Sequence, residues 1–157
     1  MTRPRTKLRS ERDRSSQDAA SGYVLEDQVG YSLRCAHQRA TEMFNAVMEP
    51  FGVTPMQFAA LAKLDDLGTV SQNQLGRLIA MDPATISGVV GRLVARRLVR
   101  QAVDPQDARL AVLSLTPVGK IAVAEMKAHA AEVSCRTLAP LTAAEAAAFL
   151  ATLAKLW

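Results

Sequence analysis

SQNQLGRLIAMDPATISGVVGRLVARRLVRQAVDPQDARLAVLSLTPVG, residues 71–119, decides how the rest of the chain is read. Ser71 can cap a short helix over residues 71–80, in which Leu75, Leu78 and Ile79 recur at i, i+3 and i+4. Met81-Asp82-Pro83 then breaks it. Asp82 suits an N-cap, and Pro83 at the first helical position gives up only an amide that would be orphaned there. The second helix, residues 82–97, is expected to bury Ile86, Val89, Val90, Leu93 and Val94. Its first turn carries Ala84, Thr85, Ser87 and Gly88, which are small or hydroxyl-bearing. Beyond it, Leu98–Val103 and Leu110–Leu115 read as two strands joined by the polar turn Asp104-Pro-Gln-Asp-Ala-Arg109.

A slim leading end with donors and acceptors, backed by arginines, is what a helix needs to enter a DNA major groove. Two helices, a sharp turn and a hairpin make a winged helix. The residues of this stretch therefore predict a DNA-binding regulator. Ser71, Gln72, Arg77, Pro83, Ala84, Thr85, Ser87, Gly88, Arg92 and Arg96 are the candidate contacts on these two helices. A plainer alternative stands beside each. Thr85 and Ser87 can serve as local caps, Ser71 and Gln72 as a simple helix start, and Arg92, Arg96, Arg97 and Arg100 as a solvated stripe. A winged helix used for protein contacts would want exposed apolar anchors at the front of the second helix, and there are none.

Upstream, a long helix is expected from Leu25 to Glu49, its apolar stripe running Leu25, Val29, Leu33, Ala36, Ala40, Phe44, Val47 until Pro50 and Gly52 end it. Arg34, His37, Gln38 and Thr41 form a polar stripe beside it at i, i+3, i+4 and i+7. Arg34 and His37 can partner a carboxylate, Phe58 of the next helix can supply an aromatic wall, and Tyr31 and Thr54 are weaker additions. An apolar pocket with a few convergent polar groups is the usual pattern of a ligand site; the alternative is a solvated helix side. Thr54-Pro55 opens the second helix, with Phe58, Leu61, Ala62 and Leu64. Thr116-Pro117 opens a helix through about Thr137, and Thr142-Ala-Ala-Glu145 is a capping box for the last one, which carries Phe149, Leu150, Leu153, Leu156 and Trp157.

The order is thus mainly α with a small β-hairpin. Residues 1–22 are charged and Ser-rich and are expected to be a disordered basic tail, and residues 23–157 form one domain. Within it, residues 53–116 are the winged-helix lobe. The segments 23–50 and 117–157 are apolar helices that need burial of their own, and their obvious use is an intertwined two-fold dimer. Such a dimer would set two recognition helices about one DNA turn, ~34–36 Å, apart on a pseudo-palindromic site.

Composition agrees. The net charge is +4 over 157 residues. Residues 1–22 carry six basic and three acidic side chains, net +3, residues 23–70 three and six, net −3, and residues 71–109 six and three, net +3. Positive charge sits on the tail and the reading unit, the footprint of a face that meets phosphates. No apolar run reaches the ~18 residues of a membrane span, no apolar segment follows the basic start as in a secretory signal, and a cytoplasmic location is expected. Cys35 and Cys135 lack metal or disulfide spacing and are expected to be buried and inert. No nucleophile elbow, phosphate loop, HExxH or paired-carboxylate pattern occurs, and His37 and His129 stand alone, His129 on a helix surface; no catalytic residue, metal or cofactor is expected, and the chain is not read as an enzyme.

The run Leu98-Val99-Arg100, Asp104-Pro105-x-Asp107-x-Arg109 and Leu115-Thr116-Pro117-x-Gly119 resembles the MarR family of bacterial transcriptional regulators, and the element order matches over residues 24–157. The segment Gln28-Val29-Gly30-Tyr31-x-Leu33-Arg34-x-Ala36-His37-Gln38-Arg39 further resembles members that repress aromatic-acid catabolism, nicotinate degradation among them. The resemblance implies a homodimeric repressor released from double-stranded operator DNA by a small aromatic acid. It also implies that Asp107 braces the wing and that Arg109 reaches the minor groove, where narrow A·T-rich sequence favours arginine. Some members sense oxidants through a cysteine of the first helix, which makes a thiol-based sensor at Cys35 the rival reading. Three positions depart from the pattern: Arg97 where many members have glycine, and Gln106 and Ala108 where many have arginine. Without that glycine the recognition helix is expected to lack its left-handed stop.

Overall fold

The computed structural model describes residues 22–104 and 111–156. The basic tail of residues 1–21, the wing tip with Gln106, Asp107, Ala108 and Arg109, and Trp157 lie outside the described residues. Packing divides the chain into two units, the division falling between His37 and Gln38.

Helix α1 spans Val29–Met48, shorter than expected at its start. Leu25–Asp27 is a separate 3-10 turn, and Gln28 is extended at φ −83°, ψ 128°, its side-chain amide donating to the Val24 carbonyl at 2.9 Å. Of the expected apolar stripe only Phe44 and Val47 are buried, joined by Met48, while Val29 and Leu33 are exposed on the single chain. A 3-10 turn at Glu49–Phe51 and left-handed Gly52 (φ +57°) close the helix, as Pro50 and Gly52 predict.

Helix α2, Pro55–Leu67, starts in a full capping box. The Gln57 amide donates to Thr54 Oγ1 at 3.3 Å, and the Thr54 amide donates to Gln57 Oε1 at 3.0 Å. Strand β1, Thr69–Ser71, follows; it is too short to show alternation and is not legible in the sequence. Ser71 accepts the Gln74 amide and caps α3, Gln72–Leu78. Asp82 caps α4, Pro83–Ala95. Strands β2, Val99–Val103, and β3, Ala111–Leu115, form the expected hairpin, and β1 adds to it, so the sheet is three-stranded and antiparallel in the order β1-β3-β2. Helix α5, Pro117–Leu138, is capped by Thr116, and α6, Ala143–Leu153, by the capping box Thr142/Glu145.

Both short helices of the reading unit end in the left-handed device that the sequence lacks glycine for. Arg97 itself adopts φ +59°; its amide donates to Val94 O at 2.8 Å and the Leu98 amide to Leu93 O at 3.0 Å. This is a Schellman stop with the C″ and C3 residues, Leu98 and Leu93, both buried. The expectation of a missing stop is therefore corrected: the arginine takes the strained conformation. Ala80 does the same after α3 at φ +53°, with the Met81 amide donating to Gly76 O at 2.8 Å.

One core fills the second unit, from Phe44 and Met48 of α1 through Leu61 and Leu64 to Leu75, Ile86, Leu93, Leu113 and Val123. Val94 of α4, expected inside, is exposed, because it lies one residue past Leu93 on the side turned from that core. Gly119 marks the tightest approach. A Cβ there would stand 2.0 Å from the Leu98 carbonyl oxygen, so the first turn of α5 lies directly on the β2 root. Among the described residues no single helix is long and apolar enough to cross a membrane.

Candidate nucleic-acid interface

Helices α3 and α4 meet at 111° across the turn Ile79–Asp82, within the range of a helix-turn-helix. Gly76 makes that closure possible: a Cβ there would lie 3.1 Å from Met81 O and 3.3 Å from Ile86 Cγ2. Ile86, Val89, Val90 and Leu93 pin one face of α4 into the core. The opposite face, Pro83, Ala84, Ser87, Gly88 and Arg92, is exposed. The helix thus presents a narrow ridge with little side-chain bulk at its leading end.

Asp82 organises that end. Its Oδ1 accepts the Ala84 and Thr85 amides at 3.0 and 2.9 Å, and its Oδ2 accepts the Thr85 hydroxyl at 2.5 Å. The Thr85 hydroxyl, with the backbone amides, holds the Asp82 carboxyl below the usual carboxylate range. Thr85 is half-buried and its hydroxyl proton is committed to the cap, so only its oxygen lone pairs are open to a ligand. Ser71 is likewise engaged as the cap of α3, and Gln72 beside it is half-buried. Ser87 is exposed.

The arginines fall into two groups. Arg77 and Arg92 are exposed and, among the described residues, pair with no carboxylate. Arg96 is turned instead onto the junction of α1 and α2, donating to the Phe51 and Gly52 carbonyls at 2.8 and 2.9 Å. It clamps the end of α4 to the turn that precedes Thr54. Asp107 and Arg109 lie outside the described residues. Asn73 was not singled out by sequence reasoning; it lines, with Arg77 and Pro83, a groove of about 410 Å³ at the elbow of the two helices. Its spacing of four from Arg77 on an exposed helix side is the signal that could have found it.

The effector candidates lie in both units. In the first, Arg34 stacks its guanidinium 5.3 Å from the Tyr31 ring centroid, and His37 is exposed. In the second, exposed Gln38 donates to Glu42 Oε1 at 3.2 Å, Thr54 is occupied as the α2 cap, and Phe58 packs 5.8 Å from Phe44 at the edge of the core. The structure brings Arg34 to Tyr31, and Phe58 to Phe44. Cys35 and Cys135, expected to be buried, are both exposed on the single chain; Cys35 is so because α1 buries only its C-terminal end, and Cys135 lies beyond the buried residues of α5. The Arg34 guanidinium lies 4.0 Å from Cys35 Sγ. His129 is on the surface as expected, edge-on to Phe51.

Comparison with known proteins adds an independent line. Residues 51–110 match the MarR family model. The chain is 38% identical over 134 residues to the HTH-type transcriptional repressor NicR of Pseudomonas putida, covering 85% of each chain. It is similar to the crystal structure of a probable transcriptional regulator from Pseudomonas aeruginosa, with 43% identity and a TM-score of 0.82 over 85% of this chain and all of that one. It is also similar to BpsR of Bordetella bronchiseptica, a protein whose DNA binding is regulated by 6-hydroxynicotinic acid, with 36% identity and a TM-score of 0.81 over 85% of this chain and 96% of BpsR.

Proposed function

The chain belongs to the MarR family of transcriptional regulators, which are not enzymes, and from that premise we propose that it is a homodimeric repressor released from a pseudo-palindromic operator by a small aromatic carboxylate of the hydroxypyridine or benzoate type. The observation that carries the DNA half is the front of α4: Asp82 caps it, and Pro83, Ala84, Ser87 and Gly88 stand exposed, with Arg77 and Arg92 beside them in no ion pair among the described residues. A ridge this slim fits a major groove, and its exposed arginines suit flanking phosphates. Arg109 of the wing is assigned to the minor groove, from the family motif that its position matches.

The ligand half rests on the relatives and on Arg34 and His37. BpsR responds to a hydroxylated pyridine carboxylate, and in this chain an exposed arginine already held against an aromatic ring is a ready partner for such an anion. The segments 23–50 and 117–157 are assigned to the dimer and 53–116 to the DNA-reading lobe. The test is fluorescence anisotropy on a labelled operator with 6-hydroxynicotinate and benzoates as titrants. Release by at least one of them in the wild type, and none in Arg34→Ala or His37→Ala at unchanged DNA affinity, is the expected result; equal release in the variants discards the assignment of these two residues to the ligand.

A second reading is favoured by one observation, the exposure of Cys35 beside Arg34. In it, oxidation of Cys35 rather than a ligand lowers DNA affinity. Peroxide treatment separates the two, since Cys35→Ser keeps ligand release under the first reading and loses all response under the second.

A further inference from the structure

On the outer side of the sheet, away from the reading helices, Thr69, Ser114 and Arg100 stand in one register row across β1, β3 and β2. The adjacent positions Val70, Leu113 and Leu115 are buried. Strand alternation therefore turns this row to solvent. Arg100 Nε donates to Ser114 Oγ at 2.9 Å, which lays the guanidinium along the sheet and leaves its Nη edge without a hydrogen-bond partner among the described residues. The row floors a cleft of about 280 Å³, walled by Asp65 at the end of α2 and by Lys120 in the first turn of α5.

The charges in this cleft do not balance. Asp65 is already taken: Lys127 Nζ holds it at 2.7 Å and Asp66 at 2.9 Å. The two carboxylates, Asp65 foremost, in turn raise Lys127 above the ordinary lysine range. Arg100 and Lys120 make no ion pair among the described residues. Two cations and two hydroxyls thus face one concavity whose one carboxylate among the described residues, Asp65, is neutralised elsewhere.

We propose that this cleft is a binding site for a small free oxyanion, inorganic phosphate or a phosphomonoester. The Nη edge of Arg100 offers a fork to two of its oxygens, Lys120 supplies a second positive charge, and Thr69 and Ser114 add hydroxyl donors. None of the lining residues belongs to α3 or α4, so the site is separate from the DNA-reading ridge. It also does not depend on the repressor reading. An anion held there ties the root of the wing, through β2 and β3, to the end of α2 and the start of α5.

Isothermal titration of the full chain with inorganic phosphate, without DNA and against chloride at matched ionic strength, tests it. A saturable heat with one site per chain is expected, and Arg100→Gln and Lys120→Gln should each weaken binding by about tenfold or more. Lys120→Gln keeps the test sound if the arginine variant folds poorly, because the Lys120 side chain has no ion-pair or hydrogen-bond partner to lose among the described residues, and melting in phosphate-free buffer checks each fold. A linear, unsaturated heat, or the same affinity in wild type and both variants, overturns the proposal. So does a result in which Arg100→Gln leaves phosphate binding unchanged but lowers operator affinity and its salt dependence, since the row would then be a DNA backbone contact.

Discussion

Arg97 and Ala80 hold backbone conformations that L-residues adopt at a cost of about 1–2 kcal/mol, at φ +59° and +53°. They persist because the hydrogen bonds and the burial of Leu98 and Leu93 around Arg97, and the Gly76–Met81 closure around Ala80, over-determine them. Glycine at either position removes the strain but enlarges the unfolded ensemble, so Arg97→Gly should stabilise the chain by about 0.5–1 kcal/mol. Thermal or urea unfolding reads this directly, and a loss of stability would show that the side chain of Arg97, not its backbone, matters there. Gly119 is the opposite case. A methyl would strike the Leu98 carbonyl at 2.0 Å, and backbone cannot yield as a flexible side chain can. Gly119→Ala should cost about 3 kcal/mol or more, in line with severe overpacking. Here the motif Leu-Thr-Pro-x-Gly was readable in the sequence, but its reason is a distance between two elements, which no spacing reveals. The same holds for Arg97: the absent glycine is visible in the sequence, whereas the willingness of an arginine to take its place depends on packing around Leu98.

At the scale of the element, α4, the helix proposed to read DNA, depends on its two ends. Thr85 and the Ala84 and Thr85 amides lower the Asp82 carboxyl below its ordinary value of 3.8. A group depressed in the folded state contributes stability above that value, and the contribution is lost as pH falls through the lower folded value. Asp82→Ala should therefore lower the melting temperature at neutral pH and flatten the acid limb below about pH 4, which unfolding at pH 3 and pH 7 would compare. At the other end, Arg96 bonds to the Phe51 and Gly52 carbonyls rather than facing outward with Arg92. Arg96→Ala should thus reduce stability by about 1 kcal/mol and leave the salt slope of operator binding nearly unchanged. Arg92→Ala should reduce that slope by about one phosphate equivalent. Equal slopes for the two variants would sink the distinction. The caps at Ser71, Asp82, Thr116 and Thr142 were legible, because a cap is a local event written in three or four adjacent residues. The Arg96 clamp spans 45 positions, and β1 consists of three residues whose identity as a strand comes wholly from pairing with β3. The polar stripe of α1 was legible only as a periodicity, and periodicity does not separate a solvated side from a ligand-binding one.

For the whole molecule, the apolar residues left uncovered decide what must come next. Ile121 on α5 is 64% exposed and Leu150 on α6 is 52% exposed on the single chain. These helices carry further exposed apolar residues, Val118 and Phe149 among them, and Leu156 of the 3-10 turn after α6 is exposed too. Covering two such side chains is worth about 1.5–3 kcal/mol each. A monomer left with them in water would be both less stable and prone to associate. If the helices of 117–157 form the two-fold interface, each chain supplies the same patch to the other, and a charge placed in the patch is introduced twice per dimer. Leu150→Glu should then shift sedimentation from dimer to monomer. Operator affinity should fall far more than the α4 ridge alone would explain, because one recognition helix reads only a half-site and the second contact is no longer tethered to the first. A symmetric double charge reversal cannot restore such a patch, but Leu150→Met, which keeps the volume, should leave both dimer and affinity intact. A Leu150→Glu protein that still sediments as a dimer and binds its operator normally would move the interface away from α6.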